Sequence, residues 1–328
     1  MNANFFKNRF IVAGSVVVIF FIVLFFFSLR PASSDSAPVV FEIQHGESFH
    51  DIVHGLSAAH LIQSSFAFEI LSLADGGAFH LKPGLYQLDA AMSAPAILGE
   101  LTSQAGQAVT VTIPEGENIY EIDAALANAL VIHPGDLIQY DKEQIAEDGG
   151  QDTLEGRLFP DTYQFARGSS IKDIVQKFLD NFQAKAAPLL GNNGSSTAAQ
   201  NTLILASILE KEVPTQTDQQ IVAGILQKRI AVGIPLDVDA TVCYAMLQQG
   251  GTCAVGLNFK LDSPYNTYLY KGLPPAPIGN PGVQAISAAL HPQSSPYWYY
   301  LSDPKTGKTI YAVTLGEQNA NVRRYLNP

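Results

Sequence analysis

Apolar and polar residues follow three different patterns along the chain, and each predicts a different element. The first is an unbroken apolar run, in which twenty successive residues from Phe10 to Leu29 carry no charge. As a helix rising 1.5 Å per residue, this run matches a hydrocarbon core of ~30 Å, so residues 10–30 read as a transmembrane anchor. A cleaved signal peptide has a shorter apolar region closed by a small-residue site. Here Phe25, Phe26 and Phe27 close the run. Lys7 and Arg9 lie before it in a short 1–9 tail and Arg30 follows it, which orients the N-terminus inward and exports the remainder. Residues 31–38 (Pro-Ala-Ser-Ser-Asp-Ser-Ala-Pro) read as a short flexible linker.

The second pattern recurs. Ile43, Gly46, Glu47, Ile52, Leu56 and Ile62 reappear seventy residues later as Ile113, Gly116, Glu117, Ile122, Leu126 and Ile132. Each copy gives an extended entry, a Gly turn and apolar positions at helical spacing, which predicts two related βα units. The first unit closes through Lys82-Pro83-Gly84-Leu85-Tyr86-Gln87-Leu88, a turn feeding a strand, and a helix bearing Ile97, Leu98 and Leu101 follows.

The third pattern is a helix that is apolar nearly all round, over residues 200–213, and therefore buried. Pro214 stops it. A second helix begins near Asp218, with Ile221, Val222, Ile225, Leu226 and Ile230 on its inner stripe and Gly233 as its cap. Tyr297–Leu301 and Thr309–Val313 flank Asp303-Pro304-Lys305-Thr306-Gly307 and read as a β-hairpin. The expected fold class is α+β: a transmembrane helix, a small α+β module over 39–108, and a larger α+β domain over 109–328.

Composition narrows the function. Hydrophobic residues make up 47% and charged residues 15%, enough apolar material for a sizeable core. A net charge of -11 argues against nucleic acid, whose phosphates require a basic footprint. Cys243 and Cys253 lie in the exported part, where an oxidising compartment permits a disulfide; two free thiols in a Gly/Gln-rich turn remain the alternative. His50 and His54 have the i, i+4 spacing of metal ligands, but the repeat puts Tyr120 and Ala124 at these places. No metal and no cofactor are expected. Neither a G-x-S-x-G elbow nor a P-loop occurs.

Glu210 and Glu212 end the buried helix. Residues two apart on a helix diverge by ~200°, so only one of them faces a given cleft. A carboxyl enclosed by apolar neighbours titrates higher, as general-acid cleavage of a glycosidic bond requires. A pair of surface glutamates is the alternative, and helix geometry leaves both open. Residues 263–282 interleave Tyr, Asn and Thr with prolines, which suits either a sugar-binding surface or simply a stiff loop.

These blocks together resemble the YceG-like endolytic murein transglycosylase family. The resemblance rests on Glu155-Gly156-Arg157-Leu158-Phe159-Pro160-Asp161-Thr162-Tyr163, on Ala206-Ser207-Ile208-Leu209-Glu210-Lys211-Glu212 and on Leu236 to Tyr244. It continues through the Tyr265–Gly282 loop and Ala289-Leu290-His291-Pro292. Two departures stand out: Asp239-Ala240-Thr241 where the family often has Asp-Pro-Thr, and Val213-Pro214 after the second Glu.

The resemblance implies a LysM-like module over 39–108 and a catalytic domain over 109–328. It implies a lyase that cuts peptidoglycan glycan strands and leaves 1,6-anhydromuramoyl ends, with Glu212 as the single catalytic acid/base. Asp239, Tyr265, Asn266 and Tyr268 are the expected substrate-positioning residues. Asp161 reads as an ordinary turn residue. The implied location is a bacterial inner membrane with the catalytic domain in the periplasm. The implied partners are glycan strands and the membrane itself, with peptidoglycan synthases admitted. The competing reading is a noncatalytic glycan-binding scaffold, which would keep the module and the aromatic loop without needing Glu212.

Overall fold

The computed structural model describes residues 3–34, 37–103, 108–147, 153–166, 168–191, 196–254 and 256–326. The apolar run lies in helix α1 (Ala3–Ser28). Among the described residues, no helix is long and apolar enough to cross a membrane. The chain forms two compact units: Met1–Val109 with Asn128–Ile132 and Gln164–Ser169, and the remainder.

The first unit runs β1 (Val39–Ile43), α2 (Phe49–Ala58), α3 (Ser65–Ala74), β2 (Gly84–Leu88) and α4 (Ala94–Ser103). Strand β1 pairs antiparallel with β2, Phe41 opposite Tyr86 and Ile43 opposite Gly84. Period-two alternation turns Phe41 and Ile43 inward, onto Ile52, Val53 and Leu56 of α2, Phe68 of α3 and Ile97 and Leu101 of α4. Ser48 and Ser64 cap α2 and α3 by accepting the amides of Asp51 and Ala67. The segment read as a linker is tied down at its start. Leu29 is buried in this core, its carbonyl accepts the Ala94 amide at 3.0 Å, and the Ser33 amide donates to Ala90 at 2.9 Å. Gln63 donates to the Pro31 carbonyl at 2.6 Å. Asp35 and Ser36 of that segment lie outside the described residues.

The internal repeat reaches further than its sequence echo. The elements β3 (Ala108–Thr112), α5 (Ile119–Asn128), α6 (Asp136–Glu147), β4 (Thr162–Ala166) and α7 (Ile171–Lys185) repeat the order β-α-α-β-α, and β3 pairs with β4. Gly46 and Gly116 turn at φ of +80° and +83°, while His60 and Leu130, also seventy apart, both sit at φ 56°. Positive φ is uncommon outside glycine, so its recurrence marks a shared backbone path. The Tyr86 hydroxyl donates to the Lys82 carbonyl at 2.7 Å, and the Tyr163 hydroxyl donates to the Phe159 carbonyl at 2.5 Å. Both reach four residues back across a proline. The echo fades after Ile132 because the second copy is longer before its closing strand.

The second unit continues with α8 (Ala187–Leu190), α9 (Thr197–Glu212), α10 (Gln216–Ala231), α11 (Asp239–Gln248) and α12 (Val283–Leu290). Strands β5 (Tyr299–Ser302) and β6 (Thr309–Ala312) and helix α13 (Leu315–Asn321) complete it. Helix α9 is central and packs on α10, α11 and α12. Every residue from Leu203 to Leu209 is buried, which explains the apolar run in its sequence. The one hydroxyl in that run, on Ser207, donates to the Ile204 carbonyl at 2.8 Å and accepts the Ile278 amide at 3.1 Å. It thereby pins the long loop to the core. The hairpin forms where the sequence places it, with Tyr300 opposite Tyr311. Cys243 and Cys253 are disulfide-bonded, their Cα atoms 5.4 Å apart. The fold is α+β, with many helices and three two-stranded sheets among the described residues.

Candidate active site

Helix α9 ends where its apolar face runs out. Val213 leaves the helix in an extended conformation ahead of Pro214, so Glu210, Lys211 and Glu212 fan out from the last turn in three directions. Glu210 turns inward, and its Oε2 accepts the Gly282 amide at 3.0 Å. Lys211 pairs with Glu121 at 3.1 Å. Glu212, with Lys211 beside it, lines an open cleft of about 560 Å³, and Glu210 does not. The divergence predicted for residues two apart is present, and tertiary partners decide which glutamate faces the cleft.

The surroundings of Glu212 set its chemistry. Burial pushes its carboxyl up to about 7, the negative charge of Asp239 acts in the same direction, and the Tyr300 hydroxyl opposes both by hydrogen-bonding to it. Glu212 therefore keeps a protonated population near neutral pH, where an ordinary glutamate is ionised. Tyr300 comes from β5, brought to the end of α9 by two further bonds. Ser302 donates to the Glu212 carbonyl at 3.3 Å, and Gln318 of α13 donates to the Tyr300 carbonyl at 3.0 Å.

The facing wall is the start of α11. Asp239 lies in its first turn and accepts the Tyr268 hydroxyl at 2.5 Å. Just before it, Asp237 adopts a left-handed φ of 51° and is held by the buried Arg229, whose Nη2 donates at 2.5 Å while Nη1 donates to the Leu236 carbonyl at 3.2 Å. A buried pair of hydroxyls clamps this turn to the long loop. Thr267 accepts the Val238 amide at 3.0 Å and meets the Thr241 hydroxyl at 2.9 Å. Asp237 and Asp239 are thus both engaged by donors, and Glu212 is the cleft carboxyl kept near neutrality.

The structure gathers Glu212, Asp239 and Tyr268 in one cleft and puts the other two predicted residues elsewhere. Asn266 is fully buried; its Nδ2 donates to the carbonyls of Phe259 and Leu261, and its Oδ1 accepts the Tyr268 amide at 3.1 Å. It shapes the loop that presents Tyr268. Tyr265 lines a separate hollow with Tyr120, Asp141 and Gln248, its ring 5.1 Å from that of Tyr244. Asp161, read as a turn residue, pairs with Lys185 at 2.5 Å and accepts Asn181 at 2.8 Å. Those donors hold its carboxyl at about 2.

Tyr300, Arg229, Asp237 and Thr267 are site residues that sequence reasoning did not single out. Tyr300 was legible only as part of a hairpin, because nothing local says that a strand 88 residues beyond Glu212 returns to it. The Glu155 block also gains a role. Glu155 is buried, its Oε2 accepting the Ile119 amide at 3.1 Å and the Tyr244 hydroxyl at 2.8 Å, its Oε1 accepting Asn280 Nδ2 at 2.9 Å. Burial pushes this carboxyl up to about 8, against the pull of its donors. Asn280 Oδ1 also accepts the Leu158 amide at 2.8 Å. Gly279 passes so close to Gly116 that a Cβ there would lie 2.6 Å from its carbonyl oxygen.

Known proteins are similar to this chain over most of its length. An endolytic murein transglycosylase of Bacillus subtilis is 29% identical over 91% of this chain and 88% of its own length. An endolytic murein transglycosylase of Streptococcus pneumoniae is 26% identical over 92% of this chain, which spans 61% of that longer protein. The crystal structure of a YceG-like protein from Listeria monocytogenes superposes with a TM-score of 0.55 at 28% identity, covering 87% of this chain and 99% of that one. The sequence profile of the YceG-like family matches residues 41–324, a span that holds both halves of the repeat, the Glu212 cleft and the hairpin that closes it, and the chain belongs to that family.

Proposed function

We propose that this protein is a lytic transglycosylase that cuts peptidoglycan strands internally, with Glu212 as its single acid/base. The observation that carries the reading is the state of Glu212: a cleft carboxyl pushed up to about 7 beside carboxylates already engaged by Tyr268 and Arg229. Protonated Glu212 donates to the oxygen bridging N-acetylmuramic acid and N-acetylglucosamine. As a carboxylate it then takes the proton of the muramoyl C6 hydroxyl, whose oxygen bonds to C1 and closes a 1,6-anhydro ring. The nucleophile is part of the same sugar, so its effective concentration is already high and no second carboxylate is needed to activate water. Asp239 and Tyr268, hydrogen-bonded to each other across the cleft from Glu212, present one acceptor edge and one aromatic face to the strand.

In this reading α1 is an uncleaved anchor over residues 10–30 with the N-terminus inside, because the charge-free run from Phe10 to Leu29 has the length of a membrane span. The Cys243–Cys253 disulfide fits an oxidising compartment outside that membrane. The β-α-α-β order and antiparallel strand pair of residues 39–88 support a LysM-like, glycan-holding module. Cleavage of nascent strands near the membrane, ending their elongation, follows from an anchored enzyme that cuts internally. The test is digestion of peptidoglycan by the full chain and by Glu212→Gln, with products read by mass spectrometry. Anhydromuramoyl ends from the parent alone support the mechanism. Reducing ends refute it in favour of hydrolysis, and glycan binding without cleavage by either protein gives the noncatalytic scaffold.

A further inference from the structure

Helix α3 of the first unit carries two apolar faces, and only one of them is used. Ala67 and Phe68 face the core. Phe66, Ile70 and Leu73, spaced i, i+4 and i+7, lie within a ~60° arc on the other side. They are exposed to 70%, 38% and 56%, and Phe79, on the turn that follows α3, is exposed to 80%. Four large apolar side chains left this open on one small unit form a patch of the kind that marks a membrane or protein contact.

The start of the chain decides which of these it is. The end of α1 is fastened to the first unit: Leu29 is buried in its core, Phe25 packs against the same core, and the Ala94 amide bonds the Leu29 carbonyl. Phe25 lies four residues inside the apolar run, about 6 Å along the helix axis from Leu29. A body that packs on Phe25 cannot stand clear of a bilayer that α1 enters. Gln63 then bonds the Pro31 carbonyl, and Phe66 is three residues beyond Gln63, within ~11 Å of it along even a fully extended chain. The exposed stripe therefore begins beside the point where the chain leaves the apolar run.

We propose that Phe66, Ile70, Leu73 and Phe79 form a membrane-seating face, immersed in the headgroup layer of the bilayer that α1 enters. The proposal rests on the anchor reading above. Helix α3 lies along the surface, and its apolar side chains reach the ~5–10 Å depth that interfacial helices occupy. Helix α3 carries no Lys or Arg, and its one acid, Glu69, is turned toward His50 at 3.3 Å. Seating is therefore driven by apolar burial and does not depend on anionic lipid. The result is a first unit fixed at the surface from which new strands emerge, rather than one swinging on a tether.

The test reconstitutes the full chain in phosphatidylcholine vesicles whose acyl chains are either ordinary or brominated. Bromine quenches indole emission within the bilayer. Trp298 is the chain's one tryptophan, so parent emission is subtracted from that of Ile22→Trp, Phe66→Trp and Phe79→Trp. Positions 66 and 79 are exposed, and indole there leaves the core untouched. The expected result is a loss of emission at 66 and 79 at least half as large as at 22, unchanged when anionic lipid is added. Quenching at 22 with none at 66 and 79 overturns the seating face and leaves the anchor standing. Absence of quenching at 22 removes the anchor, and the proposal with it. Quenching at 66 and 79 that requires anionic lipid also overturns the proposal, because charge would then be the driving force.

Discussion

Replacing Tyr300 by Phe removes a single hydroxyl and keeps the ring that packs beside α9, so it isolates one hydrogen bond to Glu212. In the parent, burial pushes Glu212 up to about 7 even though this hydroxyl stabilises the carboxylate. A hydrogen bond to a charged group contributes ~1.5–3 kcal/mol, and one pKa unit corresponds to ~1.4 kcal/mol, so losing it raises Glu212 by about one to two pH units. General-acid catalysis requires the protonated form, and activity therefore falls as pH rises through this value. The expected outcome is that the alkaline limb of kcat/KM for release of anhydromuramoyl products moves upward by about one to two pH units in Tyr300→Phe. A fall in the plateau accompanies it, because the carboxyl is no longer held in one orientation. Activity of parent and variant is measured across pH on the same glycan strands, with thermal unfolding confirming that the hairpin persists. A limb that stays in place, or moves to lower pH, refutes the assignment of Tyr300 as a donor to the catalytic carboxylate.

Three more predictions concern stability. A raised folded-state pKa means that the folded protein binds the Glu212 proton more tightly than the unfolded chain, whose value is near 4.5. Stability from this group is thus fully present below about 4.5 and is lost as pH rises through about 7. Glu212→Gln should consequently unfold at higher temperature than the parent at pH 8, by about 1–3 kcal/mol of stability, and gain little at pH 4. A gain equal at both pH values would contradict the shift. Asn280→Ala strips a donor from buried Glu155 and leaves the Leu158 amide unpaired; urea unfolding should show a loss of about 2–4 kcal/mol, and a loss below about 1 kcal/mol would mean that water replaces the amide. Reduction of the Cys243–Cys253 bridge, which closes a loop with a sequence separation of 10, should cost about 3 kcal/mol by the loop-entropy relation. Thermal scans with and without reductant check this, and an unchanged midpoint would show that α11 holds its end without the bridge.

What the sequence determined by itself was whatever depends on neighbours a few residues apart. The 3.6-residue period and Pro214 placed the end of α9, the alternation around Asp303–Gly307 placed the hairpin, and the seventy-residue echo exposed the repeat. The order of the motifs pointed to the YceG-like family. Tertiary structure alone decided the contacts between distant segments. Helical spacing says that Glu210 and Glu212 diverge, but the Gly282 amide takes the first and Tyr300, from a strand 88 residues on, takes the second. The same limit governs the long loop. Asn266 and Thr267 look like surface groups in sequence, yet both are buried: Asn266 ties the carbonyls of Phe259 and Leu261 to the Tyr268 amide, and Thr267 holds the turn at 237–241. Local pattern sets which side chains can point inward, and only the packed chain sets what each one meets there.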